Sequence, residues 1–492
     1  MDWNAVLNVL TPSMLLIIAM GVFGGIIMGA LPGLTATMGV ALLVPLTFGM
    51  NPIAGLSMLM GIYVGAIYGG CISAILLKTP GTPASAATTL DGYPMAQNGH
   101  AGKALGMATL ASGIGGLVSA AILIGMAPQL AKLALMFGPA EYFALAIFGL
   151  TIIASLSTDI LKGLLIGFLG MLLSTVGNDP VSGFTRFTFG VSNLANGIAF
   201  IPALIGLFAI SEVLTQLDKL YSEKVEAKRF SGLFPSREEW KTCWKTLCRG
   251  SIIGTVIGII PGTGTNIAAW LSYNEARRAS KTPEKFGTGY IEGVAATESA
   301  NNAVCGGALI PLLTLGIPGD SVTAVFLGGL IIHGLAPGPR LFLDHPDIVS
   351  GLFTGIIVAN IFMIFLGLVA VKFSAKLLNI PKKLLLTAIL IFCFIGSYSI
   401  NQNPLDIVTM LCFGVIGYLC QRYNYSQSAL CIAMILGPIA EQNMRLALMS
   451  SDMSPMIFFT RPISLLFMTL AILSFVWPVL KATKKLTRAQ AR

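Results

Sequence analysis

The first 77 residues contain one charged side chain, Asp2, and the first lysine is Lys78. A typical soluble domain has about 25% charged residues, which keep its surface in contact with water. This chain of 492 residues has 10% charged and 55% hydrophobic residues. The sequence therefore predicts that lipid, rather than water, surrounds most of the protein.

Uncharged apolar runs recur along the whole chain. Many approach the length of about 20 residues that a helix needs to cross a hydrocarbon layer of about 30 Å. They lie at 13–31, 54–77, 104–127, 142–158, 163–178, 190–211, 250–274, 348–371, 384–405, 407–421, 423–440 and 463–480. We therefore predict an all-α polytopic membrane protein with about 12 transmembrane helices, some of them re-entrant or broken.

Basic residues are concentrated in two places. Eight Lys and Arg fall between Lys219 and Arg249, and five between Lys481 and Arg492. Because short basic loops mark the cytoplasmic side of a membrane protein, the 217–249 loop and the C-terminus are predicted to be cytoplasmic. A polyanion-binding patch is the alternative, but the interleaved aromatics of a nucleic-acid module are missing, so no nucleic acid is expected.

The start of the chain and the cysteines are uninformative about cofactors. The N-terminus lacks the basic region of a cleaved signal peptide, so the first span is expected to remain. The eight cysteines are scattered without a CxxC pair, and most lie in apolar segments, where cysteine behaves as a small hydrophobe. We predict no metal site and no cofactor.

The two halves of the chain resemble each other. GIIMGALPGLTAT (25–37) matches GTVIGIIPGTGTN (254–266) at an offset of 229 residues, and Pro80-Gly81 matches Pro318-Gly319 at an offset of 238. This order predicts a first repeat at 1–216, a basic linker with an amphipathic surface helix at 217–249, a second repeat at 250–480 and a basic tail at 481–492. Because the N-terminus has no Lys or Arg, the repeat is expected to be inverted.

Each half thus contains two Pro-Gly breaks in an apolar context. Proline removes a backbone donor and glycine adopts unusual dihedral angles, so a helix opens there. Lipid cannot satisfy the exposed peptide groups, which must face protein, water or a ligand. The start of a half-helix can bind an anion, and paired broken helices indicate a transporter site.

The four breaks supply the candidate site residues. The expected substrate contacts are Gly33, Thr35, Thr37, Thr79, Pro80, Gly81, Thr82, Ser85, Gly262, Thr263, Thr265, Pro318, Gly319 and Ser321. The expected cation ligands are Asn266, Asn301, Asn302 and Asp320. Small residues and hydroxyls also serve helix packing, which is the alternative interpretation. Asp320 could equally cap the following half-helix.

Two further charged residues are ambiguous. Glu298 and Asn302 share a helix face, since they are four residues apart, and they either line the pathway or lock helices together. Lys78 either attracts an anionic substrate or extends to the membrane interface. Motifs of P-loop ATPases, zinc proteases and serine hydrolases do not occur in the sequence, so an enzyme is not expected.

These motifs resemble the large membrane subunit of the bacterial tripartite tricarboxylate transporters. The resemblance rests on the LPGLTAT run, YGGCISAILLKTPGTPASAATTLDGYP (68–94), GIIPGTGTNIAAWLSY (258–273), ESANNA (298–303) and TLGIPGDSVTAVFLGGLIIHGLAPGP (314–339). It implies a carboxylate substrate such as citrate, a small membrane subunit of about four spans, a periplasmic solute-binding protein and a coupling ion, Na⁺ or H⁺. It also implies the bacterial inner membrane, and an elevator motion by analogy with TRAP transporters.

Two alternatives remain open at this point. The protein could be a stand-alone ion-coupled carrier of organic anions, or a membrane scaffold that transports nothing. A neighbouring gene for a secreted binding protein would favour the tripartite interpretation over the first alternative. A failure of vesicles to accumulate any substrate under any gradient would favour the scaffold.

Overall fold

The computed structural model describes residues 2–156, 159–217, 232–378 and 381–490. Apart from one two-stranded hairpin, the regular structure in these ranges is helical. The helices are α1 Trp3–Val9, α2 Pro12–Ala30, α3 Ala36–Leu43, α4 Pro52–Leu77, α5 Thr89–Gln97, α6 Ala101–Ala134, α7 Pro139–Leu156, α8 Ile160–Ser174, α9 Phe200–Leu204, α10 Ser211–Leu217, α11 Arg237–Ile259, α12 Gly264–Ala279, α13 Ile291–Leu315, α14 Ser321–Ile332, α15 Leu341–Asp344, α16 Pro346–Leu378, α17 Lys382–Asn401, α18 Pro404–Arg422, α19 Gln427–Met449, α20 Ile457–Thr460 and α21 Pro462–Gln490.

Shorter elements connect these helices. A π-helical segment, Ile205–Ile210, joins α9 to α10 into one continuous helix. The antiparallel strands β1 (Gly177–Asn178) and β2 (Thr185–Arg186) form the hairpin between α8 and α9, with Gly177 opposite Arg186. The loop from 176 to 199 therefore has little regular structure.

The all-α membrane architecture predicted from the sequence is confirmed. Within the described ranges, seven helices are long and apolar enough to cross a bilayer, and five shorter apolar helices accompany them. The runs given above do not include α13, which contains Glu292 and Glu298. Both residues are buried against protein rather than lipid, where a charged group can be paired.

The amphipathic stretch of the linker is continuous with the first helix of the second half. Ser236 caps α11, since its hydroxyl accepts from the Glu239 amide (3.3 Å) and the Glu239 carboxylate accepts from the Ser236 amide (2.7 Å). From this capping box α11 runs without interruption to Ile259. The preceding linker residues, 218–231, lie outside the described ranges.

Glycines pack the first two long helices of the N-terminal half together. Gly25 lies against the backbone of Ile62, and Gly29 lies against Ala66. Residue numbers rise together along both helices, so α2 and α4 are parallel. The absence of side chains at these glycines allows the two backbones to approach closely.

The second half repeats this arrangement at the equivalent positions. Gly254 lies against Ala300, and Gly258 lies against Val304, so α11 and α13 are also parallel. Gly29 and Gly258 are the pair that the sequence offset of 229 matches. The internal repeat seen in the sequence is therefore a repeat of helix packing.

The long helix of each half packs on the helix pair of the other half. In one group, Gly355 of α16 lies against Ser57 of α4; in the other, Gly115 of α6 lies against Ser299 of α13. We call α2, α4 and α16 the first triplet, and α11, α13 and α6 the second triplet. Each triplet contains helices from both halves of the chain.

The two triplets run in opposite directions. Gly113 of α6 lies against Ile364 of α16, whereas Gly116, further along α6, lies against Asn360, which is earlier in α16. The long helices α6 and α16 are therefore antiparallel. The helix α16 is parallel to α4, and α6 is parallel to α13. The first triplet therefore runs opposite to the second, and the repeat is inverted.

The outer helices show the same exchange between halves. The helix formed by α9 and α10 packs on α17 and α18, whereas α19 packs on α7 and α8. Large apolar side chains on α16, α17, α18 and α21 are exposed on the outside, for example Phe365 and Ile395. Such a band is expected where a protein surface faces lipid.

Candidate functional site: a ring of four helix breaks

The first break separates α2 from α3. Gly33 has a φ of +95°, a left-handed conformation that glycine adopts without steric cost. Thr35 then caps α3, because its hydroxyl accepts from the Met38 amide at 3.1 Å. The side chain of Gln216 lies directly against Gly33, where any larger residue would displace it.

The third break separates α11 from α12 in the equivalent way. Gly262 has a φ of +81°, and the hydroxyl of Thr263 donates to the carbonyls of Ile257 (2.6 Å) and Ile260 (2.9 Å). Thr263 thus satisfies carbonyls that the end of α11 leaves without helical partners. Thr265 is partly exposed at the start of α12.

The second break follows α4 and turns the chain back into the protein. Lys78 ends α4 in the left-handed conformation, with a φ of +58°. The chain then returns so that Gly81 contacts the carbonyl of Gly29, and its amide donates to the Gly70 carbonyl at 3.3 Å. Thr82 is buried beside Gly70. We call the segment from Pro80 to Ser85 the first tip.

The fourth break follows α13 and has the same design. Gly316 ends α13 in the left-handed conformation, with a φ of +73°, and Gly319 contacts the carbonyl of Gly258. Asp320 caps α14 by accepting from the Thr323 amide at 2.8 Å. We call the segment from Pro318 to Ser321 the second tip.

Contacts join these four breaks into a closed ring. The first and fourth breaks meet where the hydroxyls of Thr37 and Ser321 lie 3.0 Å apart. The fourth meets the third where the Gly262 amide donates to the Gly319 carbonyl at 2.7 Å. The second break meets the third because the helical turn Pro83–Ser85, which belongs to the first tip, packs on α12.

The ring closes at the end of α2, where the first tip rests on Gly29. The structure thus brings together Thr37, Gly81, Gly262, Gly319 and Ser321, which the sequence predicted as one site. Both halves contribute two breaks each, so the ring lies where the inverted repeats meet. A transporter site built from an inverted repeat is expected at this place.

Two predicted cation ligands are buried in the centre of α13. Asn301 and Asn302 have no exposed surface, and no hydrogen bond within 3.5 Å satisfies the oxygen or nitrogen of either side-chain amide. A buried amide without partners costs free energy of folding, about 1–3 kcal/mol by mutational measurements. Such groups need a ligand, an ion or water for compensation.

Glu298, on the same helix, locks helices together. Its carboxylate accepts from the hydroxyls of Thr88 (2.5 Å) and Ser112 (3.1 Å). These donors lie before α5 and within α6. Of the two interpretations that the sequence left open for Glu298, the hydrogen bonds support the locking role.

Other predicted residues lie apart from the centre of the ring. Thr79 is exposed, and its hydroxyl donates to the carbonyl of Leu77 at 3.3 Å. Asn266, two residues after the start of α12, is exposed. Lys78 is exposed and lies over the ring of Tyr93, as expected for a residue that extends to the interface.

Three residues at the ring escaped the sequence reasoning. The hydroxyl of Tyr63 donates to Asp320 at 2.6 Å, Gln216 covers Gly33 and Ser73 lies beneath Gly81. Tyr63 and Gln216 are distant in sequence from the breaks that they contact, whereas Ser73 lies on the helix that precedes its break. The offset of 238 residues that aligns the two tips also aligns Tyr63 with Asn301. This alignment is the sequence signal that could have identified Tyr63 as a residue of the site.

A cavity of about 880 Å³ lies beside the second tip. Its lining includes Gly316 at the end of α13, Phe200 at the start of α9 and Glu441 of α19. Arg186, also in the lining, pairs with Glu441 at 2.7 Å. The cavity therefore extends from the hairpin loop at 176–199 to Gly316, where the fourth break begins.

One protein family and two relatives are similar to this chain. No solved structure matches the chain. An uncharacterised 52.8 kDa protein from the TAR-I ttuC′ 3′ region of Agrobacterium vitis is 40% identical over 456 residues, covering 92% of this chain and 91% of that protein. An uncharacterised protein from the TAR-II ttuC′ 3′ region of the same organism is 36% identical over 231 residues, covering 47% of this chain and 96% of that protein. The model of the tripartite tricarboxylate transporter TctA family matches residues 15–432, and the chain belongs to this family.

Proposed function

We propose that this protein is the large permease subunit of a binding-protein-dependent secondary transporter that takes up a citrate-like carboxylate across the bacterial inner membrane. The observation that carries the proposal is the closed ring of four helix breaks, two from each inverted half. Family membership supports a tripartite system. The partners would be a small membrane subunit of about four spans and a periplasmic solute-binding protein.

The starts of α3 and α12 are the best candidates for carboxylate contacts. They are equivalent in the repeat, and each presents the first amides of a half-helix, which favour an anion. Thr263, which precedes α12, makes no capping hydrogen bond with its side chain. The first amides of α12 are therefore not occupied by the Thr263 hydroxyl. The hydroxyls of Thr37 and Ser321 would add donors for a second carboxylate group.

The cavity beside the second tip would serve as the outer entrance. The helix formed by α9 and α10 ends at Leu217, where the basic linker follows. Phe200, at its other end, lines the cavity. If the linker is cytoplasmic, the cavity opens toward the periplasm, where a binding protein would release its substrate.

The coupling ion would be Na⁺ or H⁺, and Na⁺ would bind near the buried amides of Asn301 and Asn302. Amide oxygens are suitable ligands for a cation of low charge. Because these oxygens have no hydrogen-bond partner among the described residues, an ion could bind there without first breaking a hydrogen bond. Asp320 is less available, since Tyr63 and Thr323 already donate to it.

The test is uptake into proteoliposomes that contain this subunit, the small subunit and the cognate binding protein. Labelled di- and tricarboxylates are offered with an inward Na⁺ gradient, with an inward proton gradient and without a gradient. Gradient-dependent accumulation of one carboxylate class, which requires the binding protein, is expected. Equal uptake without the binding protein would indicate a stand-alone carrier, and no accumulation of any carboxylate would contradict the proposal.

A further inference from the structure

The two tips occupy equivalent places, but their polar groups differ. The offset of 238 places Thr82 and Ser85 at the positions of Asp320 and Thr323. In the second tip, Asp320 and Thr323 form a complete capping box. In the first tip, the Thr82 side chain makes no capping hydrogen bond, and its hydroxyl lies 3.5 Å from that of Ser85, at the limit of a hydrogen bond.

A third hydroxyl lies beneath the first tip. Ser73 is completely buried on α4, and its oxygen has no hydrogen-bond partner in the described part of the chain. This oxygen lies 2.7 Å from the position that a Cβ atom on Gly81 would take. The equivalent of Ser73 in the second half is Pro311, which has no hydroxyl.

A carbonyl oxygen completes the group on the side of α2. Gly29 belongs to the last turn of that helix, where carbonyls have no helical donor, and its oxygen contacts Gly81. The hydroxyls of Thr82 and Ser85 approach Gly70, which itself contacts Gly81. Four oxygens therefore lie along the contact of the first tip with α2 and α4, those of Gly29 and Ser73 at Gly81 and those of Thr82 and Ser85 at Gly70.

The chemistry of these oxygens favours a small monovalent cation. The Gly29 carbonyl can only accept hydrogen bonds, so it would repel a carboxylate. Calcium and magnesium sites normally include carboxylate ligands, whereas the four oxygens here belong to a carbonyl and three hydroxyls.

We propose that the first tip is a Na⁺ site whose ligands are the carbonyl oxygen of Gly29 and the hydroxyl oxygens of Ser73, Thr82 and Ser85. The site rests on the proposed function, because it gives an ion-coupled transporter a second cation site beside the one proposed at the amides of α13. It differs from the amide pair of α13, and it links ion binding to the position of the first tip. Release of the ion would leave the buried Ser73 hydroxyl unsatisfied and so favour movement of the tip.

The experiment measures the melting temperature of the purified full chain in detergent during titration with NaCl, with choline chloride holding the ionic strength constant. Wild-type protein should be stabilised by Na⁺ with a saturable midpoint, and K⁺ should not replace it. Ser73→Ala and Thr82→Val should raise that midpoint about tenfold or more, since each removes one ligand. Thr82→Ser, which keeps the hydroxyl, should retain a midpoint close to that of the wild type.

Ser57→Ala is the matched control, because Ser57 is also a buried serine of α4 whose oxygen has no partner among the described residues. It lies against Gly355, away from the tip, so its Na⁺ midpoint should not change. An unchanged midpoint in Ser73→Ala, or equal stabilisation of the wild type by Na⁺, K⁺ and choline, would overturn the site in favour of bound water.

Reconstituted uptake separates this inference from the proposed function. If wild-type protein transports carboxylate but shows no Na⁺-specific stabilisation, the cation site is refuted and the transport function stands. If the Na⁺ response is present and sensitive to Ser73→Ala while no carboxylate is ever transported, the site stands and the proposed function is refuted.

Discussion

At the scale of single residues, the tips depend on glycines that touch a backbone carbonyl. Gly81 contacts the Gly29 carbonyl, and Gly319 contacts the Gly258 carbonyl. A side chain at either position would enter space that the carbonyl occupies, so the tip would have to move away. These two contacts occupy equivalent places in the two halves, as the matching Pro-Gly pairs in the sequence predict.

Gly81→Leu and Gly319→Leu should therefore abolish uptake while leaving the protein inserted in the membrane. Labelled-carboxylate uptake and the amount of monodisperse protein in detergent are the two measurements. Gly24→Leu is the control, because nothing lies within 4 Å of a Cβ atom at that glycine, and its uptake should stay near the wild-type rate. Normal uptake by both tip variants would show that the ring is not the transport site.

The residues that end α4 and α13 allow a second prediction. Lys78 and Gly316 occupy equivalent left-handed positions, and a residue with a Cβ atom is strained there. Lys78→Gly should raise the stability by about 1 kcal/mol, and Gly316→Ala should lower it by a similar amount. Opposite shifts of the melting temperature are expected; shifts of the same sign would contradict the equivalence.

Residue roles were the least predictable part of the site. The sequence identified the breaks, because Pro-Gly in an apolar segment has a local physical meaning. It did not identify Tyr63 or Gln216, since each reaches its break from a distant helix. Nor could it show that Thr263 satisfies carbonyls of its own break, because the direction of a hydroxyl depends on the path of the chain.

At the scale of helices, buried polar contacts hold α13 against α6 and against the segment that follows the first tip. Glu298 connects α13 to the segment before α5 and to α6 through Thr88 and Ser112. Removing a buried acceptor leaves its donors without partners, which costs about 1–3 kcal/mol. Of the two roles that the sequence left open for Glu298, these contacts support the connection between helices.

Glu298→Ala should lower the melting temperature of the purified protein more than Glu298→Gln, because glutamine retains an acceptor oxygen for Thr88 or Ser112. A double-mutant cycle with Ser112→Ala should show coupling between the two positions. Additive effects of the two substitutions would indicate that the hydrogen bond contributes nothing measurable.

The hairpin loop between α8 and α9 depends on Asp179. The backbone amide of Val181 and the Arg445 guanidinium hold the pKa of this carboxyl well below its usual range. A lowered pKa stabilises the folded loop at every pH above the usual value of about 3.9, and the contribution is lost as the pH falls below it.

We therefore expect the loop at 176–199 to be equally protected from proteolysis or hydrogen exchange between neutral pH and about pH 5, and to become accessible in stronger acid. Asp179→Asn should be accessible throughout this range. Acid sensitivity that persists in Asp179→Asn would assign the transition to another group.

At the scale of the molecule, the parallel and antiparallel packing of helices fixes which ends share a face. The basic linker follows α10 and precedes α11, so both helix ends lie on one side. Phe189, in the loop before α9, and Lys383, at the start of α17, then lie on opposite sides, and both are exposed.

Cysteine labelling tests this topology in intact cells. Phe189→Cys should react with a membrane-impermeant maleimide, and Lys383→Cys should react only after permeabilisation. Replacing Cys412, which is exposed, removes one source of background. A reporter fused near Lys228, outside the described residues, should be cytoplasmic; the reverse pattern would invert the assigned orientation.

The exchange of long helices has a consequence for how the chain is made. When the ribosome has released only the N-terminal half, the flank of α4 that α16 later covers is still open, and the groove that α6 fills in the second triplet does not yet exist. Neither half is therefore a self-sufficient folding unit. Two separately encoded halves should be degraded when expressed alone and should accumulate together as a non-covalent pair.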